Sequence, residues 1–173
     1  MNIFFLGYMA SGKSTIGSAL AEKMNFQYID LDQYIENKER MSISELFAEK
    51  GEIYFRKIET TYLTELIANQ EHSIISLGGG TPCYGNNLDV LLNAKHATTI
   101  YLKASLNELV KRLVKDKDKR PLIEHLKTEN ELLEFIGKHL FERSYYYNQA
   151  AEIINVDDKN TDNIVEEIIL KLF

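Results

Sequence analysis

Along the chain, short apolar runs alternate with longer stretches in which apolar residues recur every three or four positions. The runs fall at residues 3–6, 26–30, 73–77, 98–102 and 152–155 and are rich in β-branched or aromatic side chains, which predicts five strands. Ile16, Leu20 and Met24 mark an amphipathic helix after the first run. Ile58, Tyr62 and Leu66 predict the buried stripe of a second helix, and Leu132, Ile136 and Leu140 that of a third. Ser42-Ile43-Ser44-Glu45 has the pattern of a capping box that opens a further helix at Leu46-Phe47. Strands alternating with helices predict an α/β chain with a parallel sheet covered on both faces and ligands at the carboxyl ends of its strands.

Composition narrows the function classes. A chain of 173 residues with 45% apolar residues, no fixed-period repeat, no low-complexity tract and only two prolines is expected to form one domain over residues 1–173. Its net charge of −6, without a basic stripe interleaved with aromatics, argues against a nucleic-acid partner. Cys83 is the sole cysteine, which excludes an internal disulfide and suits a reducing compartment. The apolar run at residues 3–6 is too short, and lacks the basic flank, for a signal peptide or membrane span, so the cytoplasm is the expected location. His72, His96, His125 and His139 show no ligand spacing with one another or with Cys83, which speaks against a transition-metal site.

The chemistry begins where the first strand ends. Gly7-Tyr8-Met9-Ala10-Ser11-Gly12-Lys13-Ser14 matches G-x-x-x-x-G-K-[ST] between an apolar strand and an amphipathic helix. Glycines there let backbone N–H groups turn inward around phosphate oxygens, and the helix that follows adds its positive end. Ala10, Ser11, Gly12, Lys13, Ser14 and Thr15 are therefore the expected nucleotide contacts, with Lys13 on the β- and γ-phosphates and Ser14 on Mg²⁺.

The acceptor must be read from elsewhere. Asp30-Leu31-Asp32 ends the second strand, and strand alternation would put both carboxylates on one side, near the phosphates; the competing reading is a solvated turn with Asp32 capping the next helix. No aspartate closes the third strand, which leaves Asp30 as the candidate for the second magnesium anchor. Arg56 and Glu59 share a helix face, either in a site or as a surface ion pair. Gly78, Gly79 and Gly80 permit close approach of backbone to a ligand or form a plain turn. Residues 111–123 form a charged segment too polar for a core and read as a solvated loop or a lid that brings an arginine onto phosphates. Arg143 falls near the line of Leu132, Ile136 and Leu140 and needs an anionic partner there, while the aromatics at 145–147 read as core packing.

Together, GYMASGKST, the D-x-D at Asp30 and Asp32, LFAEKGEIYFRKIE, SLGGGTP, KRPLI and the Arg143-x-x-x-Tyr147 pair resemble the shikimate kinases, of the nucleoside-monophosphate-kinase-like P-loop group, over essentially the whole length. The resemblance implies a three-layer P-loop kinase fold: a five-stranded parallel sheet flanked by helices, a helical substrate-binding segment at about 32–60 and a lid at about 112–124. It implies a monomer that transfers phosphate from ATP, with Mg²⁺, to a shikimate hydroxyl. Asp32, Arg56, Gly78, Gly79, Gly80 and Arg143 would hold shikimate, Phe47 and Phe55 would wall its pocket, and Arg120 would be the lid arginine on ATP. Lys13, Asp32 and Arg120 would be catalytic. Ala10 stands where the family often has a further glycine. Rival readings are a nucleotide switch, for which a guanine-reading N-K-x-D is missing, a silent P-loop scaffold, and a gluconate kinase.

Overall fold

The computed structural model describes residues 1–116 and 121–173. Five parallel strands form one sheet in the order β2-β3-β1-β4-β5. They are β1 (Asn2–Leu6), β2 (Gln27–Asp30), β3 (Ser73–Ser76), β4 (Ala97–Lys103) and β5 (Glu152–Asn155), each within two residues of its apolar run. β1 sits at the centre and every one of its residues is buried, as a strand covered on both faces requires.

The helices are α1 (Lys13–Met24), α2 (Leu31–Glu39), α3 (Ile43–Asn69), α4 (Asn87–Leu92), α5 (Leu106–Asp116), α6 (Pro121–Glu124), α7 (Glu129–Tyr147) and α8 (Thr161–Leu172). A 3-10 turn at Thr81–Cys83 lies between β3 and α4. α1 packs against β3 and α8, α2 against α3, and α5 against α7. The capping box at Ser42 and Glu45 is formed in both directions and starts α3; Thr128 and Glu131 form a second one that starts α7. Gly51, at φ 82° and ψ 168°, breaks α3, a conformation that a side chain would strain. Phe47 and Phe55 meet across this break with ring centroids 4.6 Å apart.

Two expectations change. The fully buried line of α3 runs through Phe55, Glu59, Leu63 and Leu66, so Ile58 and Tyr62 are only partly covered. Apolar periodicity missed this because a carboxylate occupies one of the buried positions. The second concerns Asp30 and Asp32. The chain turns into α2 at Leu31, so strand alternation does not relate the two aspartates, and the helix cap is Asp30, whose carboxylate accepts from the Gln33 N–H at 3.1 Å. Of the expected lid, residues up to 116 continue α5 and Pro121–Glu124 form α6; Arg120 and the rest of 117–120 lie outside the described residues.

Candidate active site

The carboxyl ends of β1, β2 and β3 open onto a cleft of about 590 Å³. One side is the loop from Gly7 to Ser14. Gly12 takes φ 99°, and Ala10 takes φ 63°, so the alanine holds the left-handed turn that glycine would adopt more readily. The Lys13 ammonium donates to the Gly7 carbonyl at 2.7 Å and the Tyr8 carbonyl at 3.0 Å, which folds the side chain back over the loop. Arg112 of α5 donates to the Ala10 carbonyl at 3.0 Å while Glu108 holds its Nε at 2.8 Å. Lys13, Ser14, Thr15, Asp30 and Asp32 all line the cleft, so both aspartates reach the phosphate side despite the early start of α2.

The other side is assembled from three remote segments. A Cβ placed on Gly78 would stand 3.0 Å from Asp32 Oδ1, on Gly79 3.0 Å from Arg143 Nη1, and on Gly80 3.0 Å from Arg56 Nη2. Each glycine of the run thus makes room for one of the three side chains singled out in the sequence. Asp32, Arg56 and Arg143 converge on one short stretch of backbone, while the two arginines stand outside the cleft lining proper.

The two arginines are held differently. Arg56 Nη1 donates to Glu59 Oε2 at 2.8 Å, and the guanidinium lies 3.7 Å from the Tyr84 ring centroid. Glu59 is 1% exposed, which rules out a surface ion pair. Its other oxygen accepts from the Thr81 hydroxyl at 2.7 Å; Asn87 then ties the Thr81 carbonyl to the Thr60 hydroxyl. A buried carboxylate with both oxygens satisfied anchors Arg56 to the turn after the glycines. Arg56 Nε is buried without a hydrogen-bond partner among the described residues. Arg143 pairs with no carboxylate among them; its guanidinium stands 5.7 Å from the Tyr8 ring centroid and interacts with the hydroxyl of Tyr147, which donates to the Gly79 carbonyl at 2.6 Å. Tyr147 is buried as expected of a core aromatic, whereas Tyr145 is exposed.

Burial, then the neighbouring Asp30 and Glu59, push the Asp32 carboxyl up to about 6, against the opposing pull of Lys13. Cys83 is half-buried, and burial pushes its thiol up to about 11, so it is protonated at neutral pH.

A family model for shikimate kinase matches residues 9–173. The chain belongs to the shikimate kinase family. A shikimate kinase of Flavobacterium johnsoniae is 48% identical over 167 residues, 96% of each chain. The crystal structure of the shikimate kinase from Bacteroides thetaiotaomicron superposes with a TM-score of 0.88 at 35% identity, covering 99% of this chain and 98% of that one. The shikimate kinase from Acinetobacter baumannii, solved in complex with shikimate, gives 0.83 at 27% identity, covering 99% and 92%.

Sequence reasoning missed several parts of this shikimate kinase site. Glu59 was visible as a partner of Arg56 but its burial was not. Thr81 belongs to SLGGGTP but was given no role of its own, and Asn87 carries no motif. Tyr8 fills an unspecified position of the G-x-x-x-x-G-K-[ST] pattern, and its contacts come from α7, far along the chain. Tyr28 donates to Ser76 at 3.0 Å and packs so closely on α1 that a Cβ on Gly17 would stand 2.6 Å from its ring. A G-x-x-x-x-G-K-S-T-x-G pattern records that glycine, but nothing in the sequence says what fills the space.

Proposed function

We propose that the two sides of the cleft divide the reaction of this family, transfer of the γ-phosphoryl of ATP to a ring hydroxyl of shikimate to give shikimate 3-phosphate and ADP, a step toward chorismate and the aromatic amino acids. The observation that carries the reading is the convergence of Asp32, Arg143 and Arg56 on Gly78, Gly79 and Gly80. Shikimate is a ring with one carboxylate and three hydroxyls, so its site needs a cationic clamp at one end and a hydroxyl acceptor at the other. Arg56 and Arg143 are the clamp. Asp32 accepts from the ring hydroxyls and takes the proton of the attacking one. A carboxyl raised to about 6 is a stronger base than an ordinary aspartate and is still ionised above neutral pH.

On the phosphate side, residues Ala10, Ser11, Gly12, Lys13, Ser14 and Thr15 cradle the triphosphate, with Lys13 on the β- and γ-oxygens; Arg120, outside the described residues, is the further cation assigned to ATP. The donor set suits Mg²⁺: Ser14, Asp30 and Asp32 offer hard oxygens in one cleft, and no cluster of three or more acidic, histidine or cysteine side chains among the described residues would hold a metal by protein ligands alone. Ser14 and Asp30 would hold the ion together with the phosphates, and when bound it neutralises charge on the transferring group. The transition state of such transfers is loose, so positioning and charge stabilisation by Lys13 and Arg120 supply most of the acceleration, with the base secondary.

In this reading the working unit is a monomer in the cytoplasm without a nucleic-acid partner, the last supported by the net charge of −6. No helix among the described residues is long and apolar enough to cross a membrane. A coupled ADP-release assay with shikimate, gluconate and nucleoside monophosphates tests the substrate. Turnover well above background ATP hydrolysis is expected with shikimate alone; equal turnover with gluconate would refute the assignment.

A further inference from the structure

Among the described residues Arg143 pairs with no carboxylate, and it stands on a helix that meets the phosphate loop at Tyr8. Tyr8, the residue after Gly7, is 1% exposed. Its hydroxyl and His139 Nδ1, 131 positions apart in sequence, are joined by a hydrogen bond of 3.0 Å. The two rings meet edge to face at 85° with centroids 5.7 Å apart. His139 precedes Arg143 by one turn of α7, and the Arg143 guanidinium stands 5.7 Å from the centroid of the Tyr8 ring. Behind His139 the Phe135 ring closes the other side at 5.5 Å.

The pair is neutral. Burial pushes the Tyr8 phenol up to about 12, and burial followed by the positive charge of Arg143 lowers the pKa of His139 against the smaller pull of Glu142. A neutral phenol beside a neutral imidazole has one part-buried hydrogen bond to make, and breaking it leaves the enclosed Tyr8 hydroxyl without its partner. The same Tyr8 offers its carbonyl to Lys13 at 3.0 Å, so its backbone belongs to the nucleotide half and its side chain to α7.

We propose that Tyr8 and His139 are a positioning pair for Arg143. The hydrogen bond pins α7 to the phosphate loop, and the pinned Tyr8 ring fixes where the guanidinium points. The inference rests on the assignment of Arg143 to the shikimate carboxylate.

The test is steady-state kinetics on Tyr8→Phe, His139→Leu, the double variant and His139→Asn, with Arg143→Ala run alongside. Tyr8→Phe and His139→Leu should each raise the shikimate KM on the order of 3- to 10-fold, the range expected for one buried hydrogen bond, and leave the ATP KM within about twofold. The double variant should be no worse than the worse single one, because both remove the same bond. His139→Asn, whose amide can meet the phenol from the Nδ1 position, should recover most of the loss. An unchanged shikimate KM in Tyr8→Phe with parental melting, equal rises in both KM values, or multiplied effects in the double variant would overturn the pair. Tyr8→Phe removes one oxygen atom, so the test survives if His139→Leu does not fold. If Arg143→Ala itself leaves the shikimate KM unchanged, the carboxylate assignment falls; if it raises that KM while the pair variants do not, only the present inference does.

Discussion

In the proposed division nine consecutive residues, 7–15, carry the chemistry of the phosphate end of the cleft, and much of it is backbone held by a left-handed Ala10 and Gly12. At the substrate end Asp32, Arg56 and Arg143 arrive from α2, α3 and α7 and meet only because three glycines leave room for them. The first end is local, so its geometry survives most distant changes. The second is tertiary, so each side chain there depends on the packing that delivers it, and a substitution acts on affinity and stability together. The difference is sharpest between the two arginines, one tied to a buried carboxylate and one set between the Tyr8 ring and the Tyr147 hydroxyl.

Substitution of Lys13 is the largest test of the local end. Lys13→Ala should lower kcat by about 10²–10³-fold, the usual loss for a donor aimed at developing charge, with a small effect on shikimate KM. A comparable rise in shikimate KM would mean that the two ends are not separable. Arg56→Ala and Arg143→Ala should each raise the shikimate KM by at least about tenfold while ATP affinity stays nearly intact. They should differ in stability. Arg56→Ala strands the buried Glu59 and should cost about 3 kcal/mol in urea unfolding, whereas Arg143→Ala strands no carboxylate and should cost about 1 kcal/mol or less. Equal losses would erase the distinction between them.

Asp32→Asn gives the most diagnostic stability effect, because it depends on pH. Its folded pKa of about 6 lies above the ordinary 3.8, so the protonated carboxyl favours the fold. That contribution is full below about pH 3.8 and is lost as pH rises through about 6, leaving an ionised group that costs stability. Asp32→Asn should therefore stabilise the protein by about 1–3 kcal/mol at pH 8 and by almost nothing near pH 4. The sign must reverse the usual cost of a substitution in a packed site.

The same contrast explains what the sequence made legible. The phosphate loop could be read because its residues are contiguous and its geometry is built from glycine, a lysine and hydroxyls in fixed order. The strands could be read because a central strand such as β1 is apolar at every position. Asp32, Arg56 and Arg143 stand out by type and spacing, but their meeting point does not, since Gly78, Gly79 and Gly80 show what they make room for only when α2, α3 and α7 are in place. Burial of Glu59 ran against hydrophobic periodicity, and the Tyr8 to His139 bond spans too much chain for any local pattern to carry. The relation between Asp30 and Asp32 was reached by the wrong route: both line the cleft, but a helix rather than a strand sets their spacing.

Asp32 is where the two ends meet, and its ionisation tests the division of labour most directly. The pH dependence of kcat/KM for shikimate, measured at saturating ATP between pH 4.5 and 8.5, should fall with unit slope below a break near the carboxyl's pKa of about 6. In Asp32→Asn, activity should be lower by about 10²–10⁴-fold and the break should vanish. A break that persists in Asp32→Asn, or a parental profile flat down to pH 4.5, would contradict the role of Asp32 as the group that receives the hydroxyl proton.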